Sequence, residues 1–473
     1  MLAGLVTRVE AIKIATRDVD RALANCMGEK ASQAGRLRPG QAFPGPRIRE
    51  SSWFVTQGIG RGAAASGHSY LGVIPKNIQA HTRWGGDRLE DVAVVGAGPA
   101  GMYAAYLLAK AGLKVVLLEA QTRIGERAIC SGVLGEEAFS RFDLPSRAVL
   151  TKIDCIQAIS PQGRVLEHRT ETPLARVIDK GEFNRALGER ALAEGVEICL
   201  GRKVDALEIG RQSVLVRFLS PEEGRKTLKA RVAVIAMGVN CFLNRTLGLA
   251  QPRRVLHAMQ AELTLPNKET AGPTKVYVGR SIAPGAFGWE IPLGNGRARV
   301  GLMTEHDPEP YFGDLLRRIA PTIAVSALNV GRKGIAQAAD GPCVADRVVA
   351  VGEAAGHVKT TTGGGIYYGL LSAEFAAEVI ARAYRKGDFS SRALSDFERY
   401  WRTAFGRELL VGYFARRLAA HFSDDQIERL FENFRATDLL VKLNGRLKFD
   451  WHHRALMATL PRILALSGGV GAI

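Results

Sequence analysis

The chain has 473 residues, 47% of them hydrophobic and 23% charged, which is enough apolar material for two or three globular domains. No apolar run reaches the roughly 18–20 residues that cross a bilayer, and the first residues lack the continuous apolar core of a secretory signal, so a cytoplasmic protein is expected. The net charge of +17 comes without a compact Lys/Arg run, so nucleic acid is not an expected partner; a solvated basic surface or peripheral contact with anionic phospholipid suits it better.

Residues 1–88 read as a leader. Met1 to Cys26 has a helical pattern, but residues 31–70 are rich in Gly, Ser, Ala, Pro and Arg and offer no core. The organising stretch follows, from Asp91 to Ala120. A short apolar run, Val92 to Val95, predicts a parallel strand buried on both faces. Gly96, Gly98 and Gly101 then give G-x-G-x-x-G, with Pro99 and Ala100 opening a helix that runs to Lys110. Gly96 permits the tight turn, Gly98 lets the backbone approach a pyrophosphate, and Gly101 lets helix and strand pack closely. The helix N-terminus offers unpaired N–H groups and a positive dipole end to phosphate. A second strand, Val115 to Leu118, stops at Glu119 and Ala120, where a carboxylate can accept the ribose hydroxyls of an adenosine. Strand, helix, strand and acid together predict dinucleotide binding.

Beyond it, Ala128 to Gly135 carries Cys130. Thr151 to Ala175 alternates as strands broken by Pro161-Gln162-Gly163, and Val177 to Cys199 reads as strand, helix and strand. A hairpin is predicted over Val204 to Ile209 and Ser213 to Leu219, with Val204 at its start near the nucleotide. A buried strand, Arg231 to Ala236, ends at a turn containing Gly238, a turn that in dinucleotide-binding folds of this kind passes the adenosine. Ala258 to Glu305 becomes short alternating strands, an antiparallel sheet expected to roof the site. The chain then repeats the glycine device: a strand, Val348 to Val351, Gly352-Glu353, a polar loop, and Gly363-Gly364-Gly365 opening a helix at Ile366. From about Phe389 the chain is helical and basic. Its last segment sets Trp451, Leu456, Met457, Leu460, Ile463 and Leu464 on one face, suited to docking on the body or lying on a membrane surface. The six cysteines (Cys26, Cys130, Cys155, Cys199, Cys241, Cys343) form no C-x-x-C, so no disulfide framework, metal site or iron–sulfur cluster is expected.

The second glycine stretch resembles the second fingerprint of two-dinucleotide-binding-domain flavoproteins, which implies FAD as cofactor. There the acid, here Glu353 where Asp is usual, holds the ribitol, and the glycine-led helix N-terminus faces the flavin. Such flavoproteins often aim an arginine at the pyrophosphate; Arg123 and Arg127 lie in that region. The implied fold class is α/β, a Rossmann-like FAD-binding domain of glutathione-reductase or p-hydroxybenzoate-hydroxylase type (residues 89–145, 177–250 and 334–386). An inserted antiparallel β substrate domain (146–176 and 251–333) and a helical C-terminal region (387–473) complete it.

From Asp91 onward the chain is similar to the geranylgeranyl reductase family of FAD-dependent prenyl reductases. The family's P-x-x-Y-x-W-x-F-P signature stands as Pro284-Gly285-Ala286-Phe287-Gly288-Trp289-Glu290-Ile291-Pro292, with Phe287 for Tyr and Ile291 for the second aromatic. The loop HVKTTTGGGIYYGL, His357 to Leu370, is similar to that of the archaeal digeranylgeranylglycerophospholipid reductases within the family. Cys130 stands where the family has a cysteine near the flavin, and Lys180 where it has an arginine. The resemblance implies reduction of prenyl double bonds in an isoprenoid lipid or quinone, with Cys130, Phe287 and Trp289 at the reacting end. His357 and Tyr367 are candidate proton donors, and NAD(P)H, reduced ferredoxin or a reductase is the electron source. Two rivals share the fold: an aromatic-hydroxylase-type monooxygenase and a flavoprotein carrying electrons to quinone.

Overall fold

The computed structural model describes residues 88–126, 128–239, 242–265, 272–437 and 449–466. The expectations for residues 1–87 and for Arg127 lie outside them.

Strands β1 (Leu89–Val95) and β2 (Val115–Leu118), with helix α1 (Pro99–Lys110) between them, form the predicted βαβ start. From Val92 to Val95 and from Val115 to Leu118 every residue is buried, as the continuous apolar runs require of strands covered on both faces. Strand β3 (Val133–Gly135), helix α2 (Glu136–Phe142), strands β4 (Val149–Ile153), β5 (Cys155–Ile159), β6 (Val165–Arg169) and β7 (Ala175–Ile178) follow. Helix α3 (Lys180–Ala193) and strand β8 (Glu197–Cys199) then return to the first sheet, where β8 runs parallel to β2. The expected hairpin is present as β9 (Lys203–Ile209) and β10 (Val214–Ser220), and it continues antiparallel into β11 (Gly224–Ile235). Burial along β11 alternates until Ala230 and is continuous from Val232, so one strand leaves a half-covered hairpin and enters the doubly covered sheet centre beside β1.

After a short helix, α4 (Phe242–Thr246), the second sheet is built from β12 (Gln251–Thr264), β13 (Thr274–Val278), β14 (Phe287–Gly294) and β15 (Arg297–Thr304). Helix α5 (Pro308–Ile319) and strand β16 (Gly331–Asp340) complete it, in the order β16-β12-β15-β14-β13-β5-β6. Strand alternation gives this roof two apolar faces. Met259, Ala261, Val300 and Leu302 pack with Phe312, Leu315 and Leu316 of α5. Leu256, Ala258, Trp289, Ile291, Leu293 and Met303 form the opposite face, with Phe287 and Ile335 packed against it. Strands β17 (Val344–Ala345) and β18 (Val348–Ala350) return to the first sheet, β18 parallel to β11. The rest is helical: α6 (Ile366–Lys386), α7 (Ser391–Leu394), α8 (Asp396–Trp401), a π turn over Arg402–Gly406, α9 (Arg407–Ala419), α10 (Asp424–Thr437) and α11 (His453–Leu466). Among the described residues no helix is long and apolar enough to cross a membrane.

Two parts differ from the sequence expectation. Strand β7 does not join the nucleotide sheet; it pairs with β3 and β4 in a separate three-stranded sheet. The roof also runs on to Asp340, because β16 pairs with β12 from Gly331↔Gln260 to Asp340↔Gln251, so residues 334–340 belong to the roof.

Packing within the roof is tight enough to test. A side chain at Gly301 would start 2.6 Å from the Trp289 ring and 2.8 Å from the Met259 carbonyl oxygen, an atom fixed in the β12 backbone. Gly301→Ala is expected to lower stability by about 1–3 kcal/mol, the usual range for overpacking. Thermal unfolding followed by circular dichroism checks this; an unchanged midpoint would show the roof to be looser than drawn.

Candidate functional site

The first glycine loop sorts its residues into those the fold needs and one it does not. Gly96 has φ +105°, and a Cβ there would lie 2.6 Å from the Ala236 carbonyl oxygen; at Gly101 it would lie 2.0 Å from the Gly96 oxygen. Gly98 is different. It is the N-cap of α1 with φ −73°, and no protein atom lies within 4 Å of the position its Cβ would take. The open space at the N-terminus of α1 is the cradle a pyrophosphate requires. Pro99, at the first helical position, gives up an N–H that has no helical partner anyway.

Glu119 stands at the end of β2. Its carboxylate accepts from the Ala97 N–H at 2.7 Å and the Gln121 N–H at 2.8 Å, one on each oxygen. Two lone pairs therefore fix the carboxylate, and two remain for ribose hydroxyls. Ala120 is exposed beside it, whereas the Val204 side chain is in the core.

The second glycine loop meets the first directly. Gly352 (φ +61°) lies between α1 and α6: a Cβ on it would be 2.8 Å from the Ala100 methyl and 3.7 Å from Gly369. Glu353 and Gly238 are also neighbours, with a Gly238 Cβ position 3.5 Å from Glu353 Oε2. That same oxygen pairs with Lys333 of β16 at 3.1 Å, tying the acid to the roof. Gly363, with φ +74°, turns the loop under the roof face, 3.2 Å from Met303 Sδ and 3.4 Å from Ile335 by its Cβ position. Gly364 and Gly365 then lead into α6 at Ile366, with no side chain capping the helix start.

Above the loops, β14 presents Phe287, Trp289 and Ile291 to one apolar face, as the alternation requires, and Phe287 and Trp289 meet edge to face with centroids 6.2 Å apart. The Trp289 ring is buried, and its Nε1 has no hydrogen-bond partner. Cys130 lies on a loop pinned from the roof. Gln260 Nε2 donates to the Cys130 carbonyl at 3.1 Å, and the buried Arg299 guanidinium donates to the Ser131 carbonyl at 2.7 Å while pairing with Glu262 at 2.6 Å. The thiol accepts from the Gly132 N–H at 3.4 Å. Lys180, the first residue of α3, hydrogen-bonds Asn184. Burial lowers the Lys180 pKa to about 8, opposed in part by Cys130 and aided to a lesser degree by the positive charge of Lys333. Cys130, Lys180, Lys333 and Glu353 thus form one electrostatic group. A surface cleft lined by His257, Asp307, Arg332 and Lys333 opens beside it, at the outer edge of the roof.

The two candidate proton donors are placed apart from this face. His357 is fully buried against Trp401, Phe405 and Phe397, with Nδ1 2.9 Å from Ser372 Oγ. Burial, aided by Arg402, drops its pKa to about 3, so the ring is neutral. Tyr367 donates its hydroxyl to Glu137 at 2.7 Å and packs on Phe142 and Trp451; burial first, then Glu137, raise its pKa far above the ordinary phenol value. Both differ from the expectation of groups free to deliver a proton at neutral pH. Lys333, Arg299 and Gln260 belong to no sequence motif; their one signal is polarity on strands that the structure places in the roof.

Comparison with known proteins bears on the fold that carries these residues. The family of NAD(P)-binding Rossmann-like domains matches residues 94–158. Digeranylgeranylglycerophospholipid reductase 1 of Methanococcoides burtonii is 28% identical over 363 residues, 74% of this chain and 88% of that protein. The digeranylgeranylglycerophospholipid reductase of Methanospirillum hungatei is 29% identical over 72% of this chain and 88% of its own length. Among solved structures, a geranylgeranyl bacteriochlorophyll reductase-like protein from Thermoplasma acidophilum superposes with a TM-score of 0.70 at 22% identity, covering 80% of this chain and 98% of that one. The p-nitrophenol 4-monooxygenase PnpA of Pseudomonas putida superposes at 0.59 with 18% identity, over 81% of this chain and 99% of its own, so the fold is shared by different oxidoreductases.

Two measurements follow. Gly98→Val should leave the unliganded protein within about 0.5 kcal/mol of wild type, because the added side chain meets no protein atom. The same substitution should abolish dinucleotide retention; a variant that keeps a full complement of ligand would remove Gly98 from the cradle. For Lys180, the fold favours the neutral amine, so its penalty is present below pH 8 and is relieved as pH rises toward the ordinary value of 10.5. In ¹³C NMR of reductively methylated protein, one lysine should titrate near pH 8, and that signal should vanish in Lys180→Arg.

Proposed function

We propose that this chain, which resembles the geranylgeranyl reductases over most of its length, binds FAD and reduces prenyl carbon–carbon double bonds of an isoprenoid lipid. The observation that carries the reading is the pairing of a two-loop dinucleotide cradle with an apolar roof face directly above the second loop. Gly96, Gly98, Gly101 and Glu119 would hold the adenosine diphosphate half, Glu353 with Gly238 the ribitol, and Gly363 to Gly365 with the α6 N-terminus the ring system. Bound and reduced, FAD supplies the hydride for such a reaction.

The residues of the chain supply the conditions. An isolated alkene is a poor hydride acceptor, so it must be held close and dry. Phe287, Trp289, Ile291, Met303 and Ile335 present apolar surface that aligns a prenyl chain and excludes water. Gly363 lets the loop approach that surface closely. We assign His357 and Tyr367 to packing the second loop and α6, since one ring is neutral near pH 7 and the other hydroxyl is committed to Glu137. Cys130, with Lys180 and Lys333 around it, is the polar group at the rim of this space. NAD(P)H or a reduced protein supplies the electrons in this reading, and the net charge of +17 suits peripheral contact with anionic membrane.

The test uses anaerobic single turnover of dithionite-reduced protein with a geranylgeranyl lipid, followed by absorbance and product mass. The expected product carries two added hydrogens per reduced bond. An unchanged lipid would favour an electron carrier, and a product one oxygen heavier, formed only in air, would favour a monooxygenase. In the same assay Trp289→Leu should slow turnover by roughly a hundredfold, the scale set by displacing reacting groups by about 1 Å, with FAD content near wild type. Leucine is chosen because emptying the site with alanine would cost about 3–5 kcal/mol of stability. Full rate in the variant would return Trp289 to the core.

A further inference from the structure

Lys359 lies inside the second glycine loop, yet its charge is answered from the far end of the described chain. The residue is 3% exposed. Its Nζ donates to the Phe449 carbonyl at 2.7 Å and pairs with Asp450 Oδ1 at 3.0 Å, while lying 4.6 Å over the Phe449 ring. The stem passes beneath the loop: Cε is 3.4 Å from the Cβ position of Gly364. The Lys359 backbone closes the loop as well, accepting from the Gly363 N–H at 2.7 Å and donating to the Gly364 carbonyl at 2.9 Å.

The partner segment, Phe449 to His453, is held as firmly. Asp450 is 5% exposed and its other oxygen, Oδ2, has no hydrogen-bond partner. Tyr368 of α6 hydrogen-bonds the Asp450 carbonyl. Trp451 packs edge-on against Tyr367 and Tyr368. His452 Nδ1 is 2.9 Å from Thr361 Oγ1, and Glu408 of α9 accepts from the His452 and His453 N–H groups at 2.7 and 2.9 Å. Phe449 reaches the roof face that holds Phe287 and Trp289. One short segment therefore touches the glycine loop, the start of α6 and the apolar roof.

A buried cation this close to the loop acts through low dielectric, where charge is poorly screened. Its carboxylate partner, the one full negative charge paired with it, limits how strongly it favours negative charge on whatever the loop faces. We infer that Lys359 and Asp450 are positioning residues of the cofactor site, a balanced charge pair by which the segment Phe449–His453 fixes the second glycine loop and sets the reduction potential of bound flavin. This inference rests on the FAD reading above. Reduced flavin carries more negative charge than oxidised flavin, so an unbalanced lysine favours reduction and an unbalanced aspartate opposes it.

The experiment measures the two-electron potential of FAD bound to the full chain, by equilibration with a reference dye, in wild type, Asp450→Asn, Lys359→Met and the double variant. Asp450→Asn should shift the potential positive and Lys359→Met negative. The double variant should return toward wild type, which a purely structural defect would not do. The conservative Asp450→Glu, which restores the charge, keeps the test open if a single variant folds poorly, and it should hold the wild-type potential. Single variants that bind FAD with unchanged potentials, or that both shift it in one direction, would overturn the inference and leave the FAD reading intact. A wild-type chain that takes up no FAD would remove both.

Discussion

Helices α1 and α6 approach each other as closely as they do because Gly352 and Gly369 carry no side chain where they meet the Ala100 methyl. That contact brings two helix N-termini to one place, each preceded by a glycine turn. A larger residue at 352 would collide with α1, and the two positive dipole ends would separate. Much of the site follows from this approach. The first loop supplies open space at Gly98, and the second loop leaves α6 uncapped by any side chain. A helix N-terminus carries unpaired N–H groups and a positive dipole end, so both starts favour negative charge nearby.

The roof solves a separate problem. Its two faces are both apolar, and each needs a cover. Helix α5 covers one of them with Phe312, Leu315 and Leu316. The other face packs on Ile153, Ala175 and Val177 of strands β4 and β7, and at Met303 and Ile335 it meets the second glycine loop. Met303 and Ile335 there lie over loop backbone at Gly363, where a side chain would have no room.

Much of this was legible in the sequence because it is local. The βαβ start is read from spacing within thirty residues, and the shared face of Phe287, Trp289 and Ile291 from strand alternation alone. Gly96, Gly98 and Gly101 are recognised together, although only the structure separates the two that the fold requires from the one it leaves free. What escaped is non-local. Strand β7 reads equally well as a partner of the nucleotide sheet, and only its pairing with β3 and β4 decides otherwise. Lysine at 333 or 359 reads as a solvated charge until Glu353 and Asp450 are brought beside it. Arg299 gives no sign that its guanidinium fastens the loop carrying Cys130. The surroundings of His357 and Tyr367 are likewise non-local: both follow glycines in sequence, but only the structure shows their rings packed against Trp401 and Phe405, and against Phe142 and Trp451.

The strap from Phe449 to His453 also bears on the order in which the molecule is made. Synthesis delivers the N-terminal part first, and domains generally fold as they emerge. The βαβ start and the first glycine loop are complete by Glu119, but β18, which continues the central sheet beyond β11, comes only with Val348–Ala350. The residues that brace the second loop from below come about a hundred positions later still. A chain still on the ribosome thus holds half a cradle for most of its synthesis. Burying Lys359 before Asp450 arrives would strand a charge in the interior, a cost of several kcal/mol. Final closure of the second loop is therefore a late, long-range event, since the carboxylate that answers Lys359 is among the last described residues to be made.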